Sequence, residues 1–222
     1  MDLVGRVLYR DGLVLIIDKP AGIPVHPGPG GGPHLEQSFD SLRFGRQRPP
    51  ALAHRLDQDT SGCLMLGRHP KALRRLGRLF AAGRVGKTYW AWVAGAPPAR
   101  TGLVEAPLVK HSTRMGGWAM HVDDDGKPAA TRYRVLERRE DGIARIECRP
   151  LTGRTHQIRA HMAHLGCPVV GDVRYGGPPA PRMLLHARAI ALPLYEGRPP
   201  VEAEAPLPTE IATFLAEATR QV

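Results

Sequence analysis

The order of hydrophobic and polar positions predicts several short strands, most of them paired as hairpins. In LVGRVLYRDGLVLIID, Asp11-Gly12 separates two apolar, β-prone runs, so residues 3–18 predict a first hairpin. Residues 129–138 and 143–150 are similar runs on either side of Asp141-Gly142 and predict a second hairpin. The segment KTYWAWVAG, 87–95, is aromatic and β-branched between glycines, which predicts a further strand.

Other segments have the apolar spacing of amphipathic helices. Residues 35–45 carry Leu35, Phe39 and Leu42, and residues 69–83 carry leucines on one side with arginines opposite. Residues 154–166 end in Gly166, a residue suited to the position after a helix, and residues 208–220 predict a last helix. Between strand and helix, residues 19–33 are too rich in proline and glycine for either element and predict a loop.

Strands outnumber helices and follow one another as hairpins, so the predicted class is α+β, with a mixed, mainly antiparallel sheet flanked by helices. The 222 residues fit one domain, and no linker or internal repeat divides them, which predicts a single domain over 1–222. The three cysteines form no CxxC pair, and neither a signal peptide nor a long apolar run is present. We therefore expect a cytoplasmic protein without membrane association.

The charge distribution predicts a polyanionic partner. Lysine and arginine number 31 against 21 acids, and the isoelectric point is about 10.1. Between Asp59 and Glu105 there is no acid at all. The cations of that stretch are Arg68, Lys71, Arg74, Arg75, Arg78, Arg84, Lys87 and Arg100. A solvated helix face explains any one such run, but a second acid-poor stretch over 142–195 favours a binding surface.

Several familiar chemistries fit the residues poorly. The run AAGRVGKT, 81–88, matches a relaxed phosphate-loop pattern, but a helix precedes it and a strand follows, the reverse of a phosphate loop. The histidines at 156, 161 and 164 lie among arginines, which repel a metal ion. Ser61 and Cys63 lack a nucleophile motif. Asp57 and Asp59 are too close in sequence for a glycosidase pair, and residues 59–62 suit a turn.

Asp57, in the stretch HRLDQDTSG at 54–62, stays a candidate for chemistry. A carboxylate in a basic environment stays ionised when a cation pairs with it, and RTHQIRAH supplies Arg154 and Arg159. The segment GKTYW adds Lys87 and Tyr89. Spacing alone leaves a second interpretation open, in which Asp57 caps a turn or forms a structural ion pair.

Several separated motifs in one order resemble the RluA-type family of RNA pseudouridine synthases. HRLDQDTSG is similar to the family's catalytic loop, KTY at 87–89 to its Lys-x-Tyr, and TGRTHQIRAHMAHLGCPVVGD at 152–172 to its third motif. IIDKPAGIPVHPG at 16–28 and LLHA at 184–187 agree as well. The resemblance covers residues 11–206.

The resemblance implies the pseudouridine synthase fold, with an active-site cleft across the sheet and no accessory N-terminal RNA-binding domain. It implies an enzyme that detaches uracil from ribose in RNA, rotates it and rejoins it through carbon, without metal, nucleotide or other cofactor. Asp57 is then the catalytic aspartate, either attacking the sugar carbon or removing a sugar proton. Tyr89 lies against the base, and Arg159 pairs with Asp57.

The remaining predicted site residues contact substrate or RNA. They are His54, Arg55, Arg74, Arg75, Arg78, Lys87, Arg154 and Leu185. The aromatic ring of Tyr89 suits a base turned out of its stack, and the arginines suit phosphates. A structured transfer or ribosomal RNA is the expected substrate, bound by a monomer, and the glycine-rich loop at 27–33 is a candidate flap.

Two other functions compete with this prediction. One is an RNA-binding module that shares the fold and assists RNA folding without catalysis, which the presence of Asp57, Tyr89 and Arg159 together disfavours. The other is a phosphotransferase that uses the 81–88 run, which nucleotide and magnesium binding would reveal.

Overall fold

The computed structural model describes residues 1–28, 31–112 and 117–219. Its strands are β1 (Val7–Arg10), β2 (Val14–Lys19), β3 (Ala51–Leu52), β4 (Ser61–Gly67), β5 (Gly86–Ala94), β6 (Thr101–Glu105), β7 (Leu108–Ser112), β8 (Trp118–Val122), β9 (Ala130–Arg138), β10 (Ile143–Pro150), β11 (Leu185–Leu192) and β12 (Val201–Glu204). Its α-helices are α1 (Pro70–Ala81), α2 (Gln157–His164) and α3 (Thr209–Thr219), and three short 3-10 helices span Val4–Arg6, Leu35–Leu42 and Val173–Tyr175. No helix among these described residues is long and apolar enough to cross a membrane.

The chain folds into two compact units. The first unit contains Met1–Lys87 and Ala187–Pro206, and the second contains Thr88–His186 and Leu207–Val222. Two of the three crossings between them fall inside β5 and β11, and the third falls between Pro206 and Leu207, in the segment that joins β12 to α3. Strand backbones therefore carry the chain across at the first two crossings.

In the first unit, antiparallel pairing joins β1 to β2 and β2 to β4, with β3 on β4 and β12 on β11. Every residue of β4 is buried, because one face meets the core that contains Met65, Leu76 and Ile190. Helix α1 closes this core with Ala72, Leu76 and Leu79 and exposes its arginines at 74 and 78. His69 caps the helix by accepting the Ala72 amide, and Pro70 occupies the first turn, where its missing N–H costs nothing.

In the second unit, the antiparallel order is β5-β10-β9-β6, and β7 and β8 form a separate hairpin. Helix α2 lies against the core of Ile146, Cys148, Met162 and neighbouring residues. Helix α3 inserts Ile211 and Leu215 against a second cluster around Trp92. Burial of one face of each element thus organises this unit.

The α+β class and both predicted hairpins are confirmed. Asp11 and Asp141 stabilise the two turns in the same way, since each accepts a backbone amide two residues later, from Leu13 and from Ile143. The helices predicted at 69–83, 154–166 and 208–220 are also present, with shorter bounds.

Three local predictions need correction. Residues 35–42 form a 3-10 helix, although Leu35, Phe39 and Leu42 are buried as their spacing predicts. The turn predicted at 59–62 ends at Thr60, because Ser61 already begins β4. His156 is not helical, since its backbone is left-handed at φ 52 and α2 begins one residue later. The flap proposed for the glycine-rich loop includes Pro29 and Gly30, which lie outside the described residues.

Candidate active site

The Asp57 loop, residues 54–60, lies in the first unit between β3 and β4. Leu56 is buried and anchors the loop, while Arg55 is exposed and Asp57 half-buried. The backbone carbonyl of Asp57 accepts a hydrogen bond from the Thr60 amide at 3.2 Å, and this bond closes a turn over residues 57–60. The acid therefore stands on a short turn that leads directly into the buried strand β4.

A buried lysine fixes the far side of this loop. The Lys19 side chain is completely buried, and its ammonium donates to the carbonyls of Pro20 at 2.8 Å, Gln58 at 2.8 Å and Thr60 at 3.0 Å. Three bonds match the three N–H donors of an ammonium, the condition under which its burial is tolerated. The backbone amide of Gly22 also donates to the Gln58 carbonyl, and the side-chain Nε2 of Gln58 donates to the Gly22 carbonyl.

Sequence reasoning missed Lys19. The signal was present, because a lysine ends the apolar run LVLIID and precedes a proline, where solvent would be the ordinary destination of its side chain. A lysine at the end of a strand buried on both sides has no solvent to reach and needs backbone carbonyls instead. The position of the loop thus depends on a residue nearly forty positions away.

His54 supports β4 from the same loop. Its Nε2 accepts the Met65 amide at 3.0 Å, and its ring lies 5.0 Å from the Phe80 ring of α1. Burial, together with the smaller effect of the positive charge of Lys87, lowers the pKa of His54 to about 4. The ring is therefore neutral near pH 7, so a contact between His54 and RNA, which stays a prediction, would not be an ion pair.

Lys87 ends the first of the two segments of the first unit and lies on β5. Burial lowers the pKa of its ammonium. Burial makes the charged form of a lysine less stable than it is in water, and a nearby anion stabilises that charged form again. These properties suit a phosphate or carboxylate partner better than a solvated position.

In the second unit, Arg159 and Asp172 form a buried ion pair. The Arg159 Nε donates to one carboxylate oxygen of Asp172 at 2.6 Å, and its Nη2 donates to the other at 2.8 Å. Both side chains are almost completely buried, and the Tyr175 ring lies 5.0 Å from the guanidinium. A bidentate pair fixes the plane of the guanidinium, which lysine could not reproduce. Because Asp57 belongs to the other unit, its pairing with Arg159 stays a prediction.

A buried polar network holds α2, the helix of Arg159, in place. His161 is fully buried, with Nδ1 2.8 Å from the Thr131 hydroxyl and Nε2 3.0 Å from the Ala106 carbonyl. Burial lowers the pKa of His161, so the ring is neutral and donates from Nε2 to the carbonyl. Gln157 adds bonds to Thr131 and to the Ala130 carbonyl. This histidine is structural, and the metal interpretation of the histidines finds no support in it.

Leu185 belongs to the hydrophobic core of the second unit that contains Ile146 and Met162, and Tyr89 packs against the same core. Tyr89 is half-buried opposite Cys148 on β10, and Leu185 is buried in β11. Arg154 is exposed, and its Nε donates to the Pro128 carbonyl at 3.0 Å. A half-buried aromatic ring on an apolar floor is a surface on which a base can stack.

The three cysteines and the 81–88 run offer no competing chemistry. Burial raises the pKa of Cys63 to about 12 and that of Cys167 to about 11, and it raises the pKa of Cys148 as well, so all three stay thiols. In the 81–88 run, α1 ends at Ala81 and β5 begins at Gly86, the helix-to-strand order that opposes a phosphate loop. Across 1–28, 31–112 and 117–219, no group of three His, Cys, Asp or Glu side chains is arranged to hold a metal.

A sequence model of RNA pseudouridylate synthases matches residues 13–164, a span that contains the Asp57 loop and reaches the last residue of α2. The chain belongs to this family. Curated relatives named as RluA, RluC and RluD-type synthases place it in the RluA type, so the enzyme class is that of an isomerase that forms pseudouridine in RNA.

Individual relatives of this synthase family match almost the whole chain. An uncharacterized RNA pseudouridine synthase of Zymomonas mobilis is 46% identical over 93% of this chain and 95% of its own length. The dual-specificity RNA pseudouridine synthase RluA of Escherichia coli is 38% identical over 84% and 85%. The solved structure of human RNA pseudouridylate synthase domain containing 4 superposes with a TM-score of 0.81 at 26% identity, over 98% of this chain and 94% of its own. The predicted pseudouridine synthase fold is thereby confirmed.

Proposed function

We propose that this synthase isomerises uridine in structured ribosomal or transfer RNA and that Asp57 is its catalytic aspartate. The observation that carries the proposal is the anchoring of the Asp57 loop by the buried Lys19 ammonium through three carbonyls. A catalytic side chain needs supporting contacts that hold it in place, and this ammonium holds residues 58 and 60 next to Asp57. Relatives named as ribosomal large subunit pseudouridine synthases support the RNA class.

The proposed reaction breaks the bond between ribose and the uracil nitrogen and forms a bond between ribose and carbon 5 of the same base. The hydrogen at carbon 5 leaves to solvent as a proton, and the ring nitrogen released from ribose takes up a proton, so the product keeps the composition of the substrate. Asp57 starts the cleavage either by attacking the sugar carbon or by removing a sugar proton. Both roles require an ionised carboxylate.

Arg159 and Tyr89 are proposed to complete the site. A guanidinium held rigidly by Asp172 keeps a fixed orientation toward an anion or an acidic side chain, at no further cost in side-chain entropy. Tyr89 offers the half-buried ring for the base that leaves the RNA stack. Arg55, exposed two residues before Asp57, is proposed to contact RNA next to the vacated base position.

The test measures tritium release from uridine carbon 5 in ribosomal and transfer RNA transcripts. Wild type is expected to release tritium from at least one class, and Asp57→Asn, which keeps the size of the side chain, is expected to release none. Asp59→Asn is the matched control, because Asp59 is exposed two residues away in the same loop. Full release by Asp57→Asn would overturn the catalytic assignment.

The same samples also test the alternative that the protein binds RNA without catalysis. If wild type bound the transcripts but released no tritium from either class, the module that assists RNA folding would be favoured.

In an active enzyme, deuteration of the ribose distinguishes the two proposed roles of Asp57. A primary isotope effect in single-turnover reactions indicates proton removal, and its absence indicates attack on carbon.

Arg159→Ala is expected to lower turnover by far more than it weakens RNA binding. The change leaves the Asp172 carboxylate buried without this partner, at a cost of about 3–5 kcal/mol in stability. In the double variant Arg159→Ala/Asp172→Asn the unpaired buried charge is absent, so its comparison with Arg159→Ala separates the loss of stability from the loss of the guanidinium. Turnover that returned in the double variant would show that Arg159 acts only as a structural partner.

A further inference from the structure

The β1–β2 turn in the first unit gathers arginines around one carboxylate whose hydrogen-bonding capacity is already used. Asp11 Oδ1 accepts the amides of Leu13 at 2.7 Å and Val14 at 2.8 Å. Its Oδ2 accepts the hydroxyls of Tyr9 at 2.9 Å and Tyr195 at 2.6 Å. Burial opposes ionisation, but these four bonds outweigh it and lower the pKa of Asp11, so the carboxylate is charged and satisfied by neutral donors.

Three arginines surround this turn, two of them bound to carbonyls and one lying against an aromatic ring. Arg68 donates to the Asp11 carbonyl at 2.6 Å and to the carbonyls of residues 43 and 44 at 3.2 Å. Arg46 donates to the Gly12 carbonyl at 3.1 Å. The Arg10 guanidinium lies 4.3 Å from the centre of the Phe44 ring. Backbone carbonyls and an aromatic face orient a guanidinium but leave its unit charge in place.

The positive charges of this cluster are not neutralised within the first unit. Burial lowers the pKa of Arg68, and repulsion by Arg46 and Arg10 lowers it further, against the opposing attraction of Asp11. Among the described residues, no carboxylate lies within ion-pair distance of Arg10, Arg46 or Arg68. An anion bound here would relieve the repulsion.

The same cluster continues onto α1. The Arg75 guanidinium carbon lies 5.9 Å from the centre of the Tyr195 ring, and the hydroxyl of that ring donates to Asp11. The guanidiniums of Arg10, Arg46, Arg68 and Arg75 therefore form one surface across the turn and the helix, which we name the Asp11 surface. A single phosphate would meet one or two of these cations, whereas a nucleic-acid strand presents a phosphate at each nucleotide.

We propose that the Asp11 surface binds the phosphate backbone of RNA, as a second contact in addition to the Asp57 loop. The proposal rests on RNA being the substrate class of the proposed function. Several guanidiniums presented together without acidic partners suit a repeating polyanion, and contacts to phosphates position RNA without reading its sequence. The exposed side chains of Arg10 and Arg46 are the residues added to the RNA contacts predicted from sequence.

The test compares Arg10→Gln/Arg46→Gln with wild type in equilibrium binding to the RNA transcripts from 50 to 300 mM salt. Loss of two phosphate contacts is expected to reduce the slope of log K against log salt by about 1.4–1.8 and to weaken binding roughly 15- to 30-fold at 0.15 M. Lys127→Gln/Arg132→Gln is the control, because both residues are exposed in the second unit, lie outside the two acid-poor stretches, and change the net charge equally. Thermal unfolding verifies that each variant is folded.

A reduced slope in the Arg10/Arg46 variant alone, with a raised KM and an unchanged kcat in tritium release, supports the proposal. An unchanged slope, or an equal loss in the control, overturns it, and the surface would then suit an acidic protein or no partner. The salt slope is measured without turnover. If wild type proved inactive, the proposed function would fail while this comparison still decided whether the surface binds RNA.

Discussion

Replacing Lys19 with methionine removes the ammonium beneath the Asp57 loop while nearly keeping the side-chain volume. Each of the three hydrogen bonds from Lys19 joins a charge to a carbonyl and contributes roughly 1.5–3 kcal/mol. The variant is also relieved of the cost of burying the ammonium, several kcal/mol. The carbonyls of Pro20, Gln58 and Thr60 are left to find water. We expect a net loss of about 2–4 kcal/mol in the free energy of unfolding, and a greater relative loss in catalysis.

The catalytic loss follows from the position of the bonds. Two of the three hold residues 58 and 60, on the side of the loop that leads from Asp57 into β4. A displacement of about 1 Å at a catalytic group costs roughly 100-fold in rate. We therefore expect kcat to fall about 100-fold in Lys19→Met at a temperature where the variant is still folded.

The assay combines urea unfolding with single-turnover tritium release at saturating enzyme. Lys127→Met, a change of an exposed lysine in the second unit, is the control and is expected to alter the free energy of unfolding by less than about 0.5 kcal/mol. If Lys19→Met were destabilised but kept the kcat of wild type, the anchoring of the loop would have no catalytic role. If it were as stable as wild type, the energies assigned to the three bonds would be wrong.

Two further predictions concern the first unit. His54 has a pKa of about 4 in the folded protein and about 6.5 in the unfolded protein. Between these two values the unfolded state binds more protons than the folded state. The stability that the neutral ring contributes is therefore complete above pH 6.5 and decreases by about 3 kcal/mol as the pH falls to 4. Urea unfolding at pH 7 and 4.5 should show a smaller difference for His54→Gln than for wild type, and equal differences would contradict the buried neutral ring. Gly62→Ala should not give a folded protein, because its Cβ would lie 2.2 Å from the Ala187 carbonyl oxygen at φ 107. Gly12→Ala, with open space around it, is the control, and normal melting of both variants would refute the close approach of the two strands.

Local patterns were sufficient for the hairpins and most helices, because each of those elements has a cause within a few residues. Asp11 and Asp141 each bind amides of their own turn, and Gly166, at φ 74, follows α2 where a left-handed residue ends a helix. The buried strand β4 was not predicted, since SGCLMLG has neither an alternating pattern nor β-branched residues. Its burial on both sides depends on neighbouring strands and on α1, and no local pattern encodes those neighbours.

The candidate site shows the same difference between what short sequence patterns reveal and what long-range contacts determine. The motif resemblance identified Asp57, Tyr89 and Arg159 as residue types, but the partners that hold them are long-range. Asp172, thirteen residues beyond Arg159, fixes the guanidinium, and the carbonyls near Asp57 bind a lysine from β2. Lys19 and Asp172 both lie within the motifs at 16–28 and 152–172, but a motif shows neither burial nor hydrogen bonding, so their orienting contacts are visible only in the folded chain. Lys19 and Asp172 are therefore the residues at which a change should separate the geometry of the site from its chemistry.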